Sequence, residues 1–223
     1  MIILTQFAFW KDVTMDQVKV KGIRGIQKAD IAEAKRLGYV IKLLGIAKLV
    51  NGHIDVSVGP VLVPQTQPLA AIQNENNAVV VTGSAVGETM FYGPGAGELP
   101  TANSVLSDIT SVTKNIVMGT TGFSFNDYTN ELELADDSEV VYPYYLSLQV
   151  LDKPGQMLKL TEIMTEYDAS FRLITQTQMN DRFARVSMVT HEMSESQLNH
   201  IVEKLNELEE ISVLAAYKVL SVK

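Results

Sequence analysis

Tyr145-Leu146-Ser147-Leu148-Gln149-Val150-Leu151-Asp152-Lys153-Pro154-Gly155 reads as one strand closed by one turn. Apolar residues at alternate positions suit a strand. Asp, Pro and Gly are turn formers, each for its own backbone reason. Downstream, Met157, Leu160, Ile163, Met164 and Tyr167 recur three and four residues apart, the apolar face of a helix. Residues 170–178 and 183–190 read as two strands joined through Asn180-Asp181. A second helix begins at Ser194-Glu195-Ser196-Gln197, with Leu198, Ile201, Val202, Leu205 and Leu208 on one side. Residues 211–219 make a last strand. The order β-α-β-β-α-β predicts a ferredoxin-like domain over 144–223.

Working back from it, 119–143 changes character. Thr120, Thr121, Gly122, Asn126, Asp127 and the acidic Asp136-Asp137-Ser138-Glu139 read as a linker between domains. Residues 1–118 read as an α+β unit with a mixed or antiparallel sheet. Met1 to Trp10 is apolar and fits the second half of a buried helix. Gly22-Ile23-Arg24-Gly25-Ile26 is a turn, and Asp30 is placed to start a helix through Ile31, Ala34 and Leu37 that stops at Gly38. Residues 39–50 and 53–63 flank Asn51-Gly52, the strongest short hairpin signal, and should pair antiparallel. Residues 78–83 and 88–92 make two more strands around a glycine-bearing turn.

The second of these strands runs into Tyr92-Gly93-Pro94-Gly95-Ala96-Gly97-Glu98-Leu99-Pro100, followed by a helix from Pro100 to about Met118 carrying Val105, Ile109, Val112, Ile116 and Val117. Glycines let backbone approach a ligand closely, and a helix N-terminus presents free N–H groups. The same composition also serves a plain strand-to-helix turn. It is not the G-x-G-x-x-G of a dinucleotide fold.

Composition narrows the functions. The 223 residues are 46% hydrophobic and 20% charged, enough for a real core. Lys+Arg 18 against Asp+Glu 26 gives a net charge of -8, which argues against a general nucleic-acid binder. With no cysteine, disulfide and thiol chemistry are excluded. His53, His191 and His200 are far apart and lack metal-ligand spacing, so no metal is expected. No apolar run reaches bilayer-spanning length, and the N-terminus makes a poor signal peptide. No membrane partner is expected, and the location expected is cytoplasmic.

Two resemblances follow. Residues 144–223 resemble an ACT domain, on the βαββαβ order and on Asp152-Lys153-Pro154-Gly155 at the first strand-to-helix turn. The resemblance implies an amino-acid effector such as threonine, contacted by Asp152, Pro154 and Gly155. Residues 1–118 resemble the substrate-binding and dimerisation region of homoserine dehydrogenase. The carrying stretches are Gly22 to Ile26 with Asp30-Ile31, Gly38 to Gly45, Val58-Gly59-Pro60 with Leu62-Val63-Pro64, Pro68-Leu69-Ala70, and Tyr92 to Gly97 with Leu99 to Ala102 and Asp108.

That family reduces aspartate 4-semialdehyde to homoserine with NADPH or NADH, on the branch to threonine and methionine. The resemblance implies the C-terminal part of such an enzyme, as a homo-oligomer (dimer or tetramer), without the Rossmann domain and the segment bearing the catalytic lysine and aspartate. No catalytic residue is therefore assigned. Glu33, Lys35 and Lys42 match no catalytic motif, and Glu33 and Lys35 are read as a solvated helix face. Gly93, Gly95, Ala96 and Gly97 become the wall beside the nicotinamide of NADP or NAD, expected to be empty, solvent-exposed and mobile in this chain. The fragment alone is expected to be inactive. The alternative is a stand-alone amino-acid-binding ACT protein.

Overall fold

The computed structural model describes residues 1–122 and 130–221. Asn126 and Asp127 of the expected linker, and residues 222–223, lie outside the described residues. The chain divides into two compact units, Met1–Gln65 with Tyr128–Lys223, and Thr66–Asp127.

In chain order the first unit opens with α1 (Ile2–Phe9), β1 (Lys19–Val20), α2 (Lys28–Arg36), β2 (Tyr39–Val50) and β3 (His53–Pro64). The second unit holds β4 (Asn76–Gly83), β5 (Gly87–Pro94) and α3 (Glu98–Met118). The first then resumes with β6 (Val141–Tyr142), β7 (Tyr144–Leu151), α4 (Gln156–Glu166), β8 (Phe171–Gln178), β9 (Phe183–Thr190), β10 (Met193–Ser194), α5 (Glu195–Asn206) and β11 (Ile211–Val219). The ferredoxin-like order is present: β11, β7, β9 and β8 lie side by side, each neighbouring pair antiparallel. Helices α4 and α5 supply Leu160, Met164, Ile201 and Leu205, all at most 1% exposed, to a core shared with Leu146 and Leu148 of β7.

Asn51 and Gly52 both take positive φ, 52° and 89°, which matches a type I′ turn to the twist of its strands. From that turn β2 and β3 stay in register without a bulge, from Val50↔His53 to Tyr39↔Pro64. The other edge of β3 is divided among three segments, all parallel to it. Residue Ile54 bridges Leu134, Ser57 and Val58 pair with β1, and Val61 and Leu62 pair with Lys218 and Val219 of β11. One mixed seven-stranded sheet results, continuous from β2 to β8.

This changes the expected division. Residues 1–118 are not one unit, because β2 and β3 join the sheet of the βαββαβ region and the boundary falls after Gln65. Nor is the described part of 119–143 loose throughout. Ala135, Val140 and Tyr142 are buried in the core beneath α4 and α5. The Tyr142 hydroxyl donates to Asp55 at 2.8 Å, and the Lys48 ammonium lies 3.7 Å from the ring centroid. Helix α1 also departs from a buried reading. Met1, Ile2 and Phe9 pack toward Val13, Ile54 and Val56, but Ile3, Leu4, Phe7 and Trp10 are exposed.

The sheet face opposite α4 and α5 is covered by α2. Ala34 packs with Leu62, Tyr145, Val189 and Tyr217. Beside this apolar patch lies a polar cluster. Arg185 of β9 donates to Asp30 at 2.8 Å, to the Ser147 hydroxyl at 3.0 Å and to the Gln27 side chain at 3.3 Å. Asp30 thus sits at the third position of α2, where it also accepts from the Gln27 N–H in a capping box, and the helix starts two residues earlier than its sequence position suggested. Glu33 is buried rather than solvated. It accepts from Arg36 at 2.6 and 3.0 Å and from the Thr175 hydroxyl of β8 at 2.7 Å. Lys35 is exposed, as expected.

Two outcomes test this interface. Asp30 is wholly buried, so Arg185→Met leaves its carboxylate without its cation, a loss of about 3–5 kcal/mol read as a lower urea midpoint. An unchanged midpoint would show that the pair does not hold α2 on the sheet. The second outcome concerns pH. Arg36 holds the Glu33 carboxyl below its ordinary range, outweighing the opposing effect of burial, and the Thr175 hydroxyl adds to it. A depressed folded-state pKa gives stability that is present above the unfolded value and lost as pH falls through the folded one. Glu33→Gln should therefore cost most near neutrality, and its cost should shrink as pH drops below about 4. A cost independent of pH would contradict that.

Candidate functional site

The glycine loop leaves β5 while that strand is still paired, Asn77↔Gly93 and Asn76↔Pro94. The Gly95 N–H then donates to the Glu75 carbonyl at 3.1 Å, and a Cβ at Gly95 would run into the Asn77 side chain. Gly97 has φ +123°, a conformation open to glycine and strained for other residues, and it caps α3. Helix α3 starts at Glu98, two residues before its expected position. Pro100 carries no N–H, so the first turn offers the amides of Glu98 and Leu99. Gly95, Ala96 and Gly97 are exposed, and nothing stands within 4 Å of a Cβ placed on Gly93. The loop presents bare backbone to its surroundings, beside the free amides of the first turn of α3.

The rest of this unit is built of apolar elements with little cover. Among its described residues Ala70 alone is buried. Val79, Val81, Phe91 and Tyr92 of the β4–β5 hairpin are exposed, as are Val105, Ile109, Val112 and Ile116 of α3. An apolar surface of this extent on a hairpin and a helix marks an interaction surface.

The turn Asp152 to Gly155 is a second candidate, in the first unit. The Asp152 N–H donates to the Arg182 carbonyl at 2.9 Å, and its carboxylate accepts from the Gln176 side-chain amide at 3.3 Å. This ties the turn to β8 and to the β8–β9 connection. Gly155 takes φ 92° and caps α4. All four turn residues are exposed. Directly after them Gln156 is 7% exposed, and its side-chain oxygen, Oε1, is buried with no hydrogen-bond partner among the described residues. Sequence reading passed over Gln156, because a glutamine opening a helix carries no pattern of its own. A buried acceptor left unpaired costs about 1–3 kcal/mol, which marks the place where a donor belongs.

Glu33 is held ionised in the α2 cluster, and Lys35 points away from it on the exposed side. His53 contacts Glu139 at 2.8 Å, and His200 stacks on Tyr167 with centroids 5.6 Å apart. Among the described residues no group of three His, Asp or Glu is placed to hold a metal ion, and no helix is long and apolar enough to cross a membrane.

Comparison with known proteins matches both segments. Residues 1–110 match the homoserine dehydrogenase family model, and residues 144–210 match the ACT domain model. The chain is 44% identical over 222 residues to homoserine dehydrogenase of Bacillus subtilis, covering 98% of this chain and 51% of that protein. It is 39% identical over 208 residues to the Corynebacterium glutamicum enzyme, covering 91% of this chain and 46% of that protein. The crystal structure of a homoserine dehydrogenase from Thiobacillus denitrificans superposes with a TM-score of 0.89 at 28% identity, over 99% of this chain and 51% of that one. A Staphylococcus aureus homoserine dehydrogenase gives 0.68 at 29% identity, over 99% and 52%. The chain spans about half the length of these relatives. Over the segments so matched, it belongs to the homoserine dehydrogenase family and carries an ACT domain.

Proposed function

We propose that this chain is the C-terminal part of a homoserine dehydrogenase that reduces aspartate 4-semialdehyde to homoserine with NADPH or NADH. The observation that carries the reading is the colinear match of both segments, with 44% identity running through 98% of the chain. In it Gly93, Gly95, Ala96 and Gly97 form the wall beside the nicotinamide. The exposed backbone and the glycine-only conformation at Gly97 fit that role, since a side chain on this wall would keep the ring away. The bound cofactor supplies the hydride. The Rossmann domain that binds most of it, and the segment bearing the catalytic lysine and aspartate, lie in this reading outside these 223 residues.

The apolar faces of β4, β5 and α3 support self-association as a dimer or tetramer, and β8 leaves one edge of the large sheet unpaired for another strand. A cytoplasmic location follows from the biosynthetic role. Asp152, Pro154 and Gly155 are the effector contacts in this reading, and Gln156 joins them as the group whose unpaired oxygen accepts from the effector's ammonium.

The purified chain should not oxidise NADPH with aspartate 4-semialdehyde at an enzymatic rate, because hydride transfer needs the two reactants held together. The same sample should sediment as a dimer or larger. Turnover at a normal rate, or monomer alone at micromolar concentration, would refute the corresponding half of the proposal.

The unpaired Gln156 oxygen also favours a second reading, a stand-alone amino-acid-binding ACT protein. An antibody against residues 144–210 separates the two on a blot of source cells. The first reading expects a band near twice 24.6 kDa, since the chain spans about half of its relatives, and the second expects a band at 24.6 kDa. Under either reading, titration with threonine should release or absorb heat, and Gln156→Ala should abolish it. Heat unaffected by that substitution would remove Gln156 from the effector site.

A further inference from the structure

Strand β8 is the least supported long strand of the ferredoxin-like region. It lies at the sheet edge, paired with β9 alone, and none of its eight residues is buried, whereas all of β9 after Phe183 is. Its pairing also slips in register between Phe171 and Leu173. A strand with one paired side and little buried surface shifts more readily than the strands behind it.

Two adjacent residues of β8 reach to opposite faces of the sheet, because side chains alternate along a strand. On the side of α4, the Gln176 side-chain amide donates to the Asp152 carboxylate at 3.3 Å. On the side of α2, the Thr175 hydroxyl donates to Glu33 at 2.7 Å. Asp152, Gln176, Thr175 and Glu33 therefore form an unbroken series of two hydrogen bonds and one peptide bond. The bonds at its ends differ. The one to Asp152 is long, exposed and made by a neutral amide, and a cationic donor would bind that carboxylate more strongly. Glu33 has a further partner in Arg36, at 2.6 and 3.0 Å, so its carboxylate stays paired when Thr175 withdraws. Near the start of α2, Asp30 and Gln27 are held by Arg185 of β9, not by β8. The side-chain bond at Glu33 is thus the one that the loosely held strand controls.

We propose that β8 relays occupancy of the Asp152 turn to the C-terminal end of α2. The proposal rests on the reading that Asp152 contacts an amino-acid effector. The effector's ammonium takes the Asp152 carboxylate from Gln176, β8 shifts at its free edge, and the Thr175 hydroxyl leaves Glu33. The last turn of α2 then loosens, just ahead of Gly38 and β2. The coupling is reciprocal, so loosening that turn by substitution tightens effector binding by the same factor.

The test is amide hydrogen exchange of the 223-residue chain, read by mass spectrometry. Asp152→Ala cuts the first bond without any ligand. It should speed exchange over residues 31–38 about fivefold, the factor for loss of one hydrogen bond, while residues 198–205 of α5 keep their rate. Gln176→Ala cuts the same bond from the strand side and should do the same, so the result does not hang on one variant folding. Thr175→Val should raise the rate by itself, and combining it with Asp152→Ala should add nothing. The relay is overturned if both cuts alter exchange at 171–178 and leave 31–38 unchanged. It is also overturned if the double variant shows the full product of the two single effects. With threonine added, slower exchange at 152–156 and faster exchange at 31–38 support the relay, and slower exchange at 152–156 alone overturns it. No change anywhere with threonine counts against the effector reading, and the ligand-free variants then decide the relay by themselves.

Discussion

Everything in the larger unit hangs on β3 having two edges to fill. A strand presents N–H and C=O groups on both sides, and those not exposed to water must find partners. β2 satisfies one side completely through a tight hairpin. On the other, no single neighbour fits, because β11 approaches β3 only near the end of each strand. The gap is closed by Leu134 and by the two residues of β1, both from segments that look like connections. The result joins the βαββαβ region and the chain before it through backbone hydrogen bonds rather than through a flexible linker.

The two faces of that sheet are held by different physics. Under α4 and α5 the core is large and mainly apolar, and burial of Leu146, Leu148, Leu160, Ile201 and Leu205 drives the packing without much directional constraint. Under α2 a smaller apolar patch is flanked by Arg185, Asp30, Glu33, Ser147 and Thr175. Buried ions contribute little net energy when paired, and their cost appears when one partner is removed. Their geometry is directional, so α2 is fixed in register on β8 and β9 rather than free to slide. Any change that moves β9 is felt at Asp30 directly. The βαββαβ region is thereby tied to the helix preceding β2.

Local signals in the chain spoke clearly where structure is local. Asn51-Gly52 announced the hairpin, and the period-two and three-to-four patterns announced the βαββαβ order nearly to the residue. The parallel pairing of Val61 and Leu62 with Lys218 and Val219 was not legible, because a parallel neighbour leaves no turn between its strands. For the same reason 130–143 read as a linker. Ala135 on one side of the acidic run Asp136 to Glu139, and Val140 and Tyr142 on the other, reach the core with no period to reveal them. Glu33 looked solvated since charged residues usually are, and only Arg36 and Thr175 in three dimensions explain its burial. At the sites, the glycine loop and the Asp152 turn were visible as motifs. Gln156 was not, since an unpaired atom is a property of surroundings and not of residue type.

The shared edge of β3 also dictates when this protein can finish folding. During synthesis the β2–β3 hairpin emerges before the strands of the βαββαβ region, and its pairing is local in sequence. Its open edge must then wait, since Lys218 and Val219 are made only after β7 to α5. Through that interval an apolar strand with unpaired backbone groups is available to any passing chain, the hazard that exposed edges carry. β1, though only two residues long, is made before β3 and can occupy part of the edge as soon as β3 appears. Its brevity leaves Val61 and Leu62 open for β11.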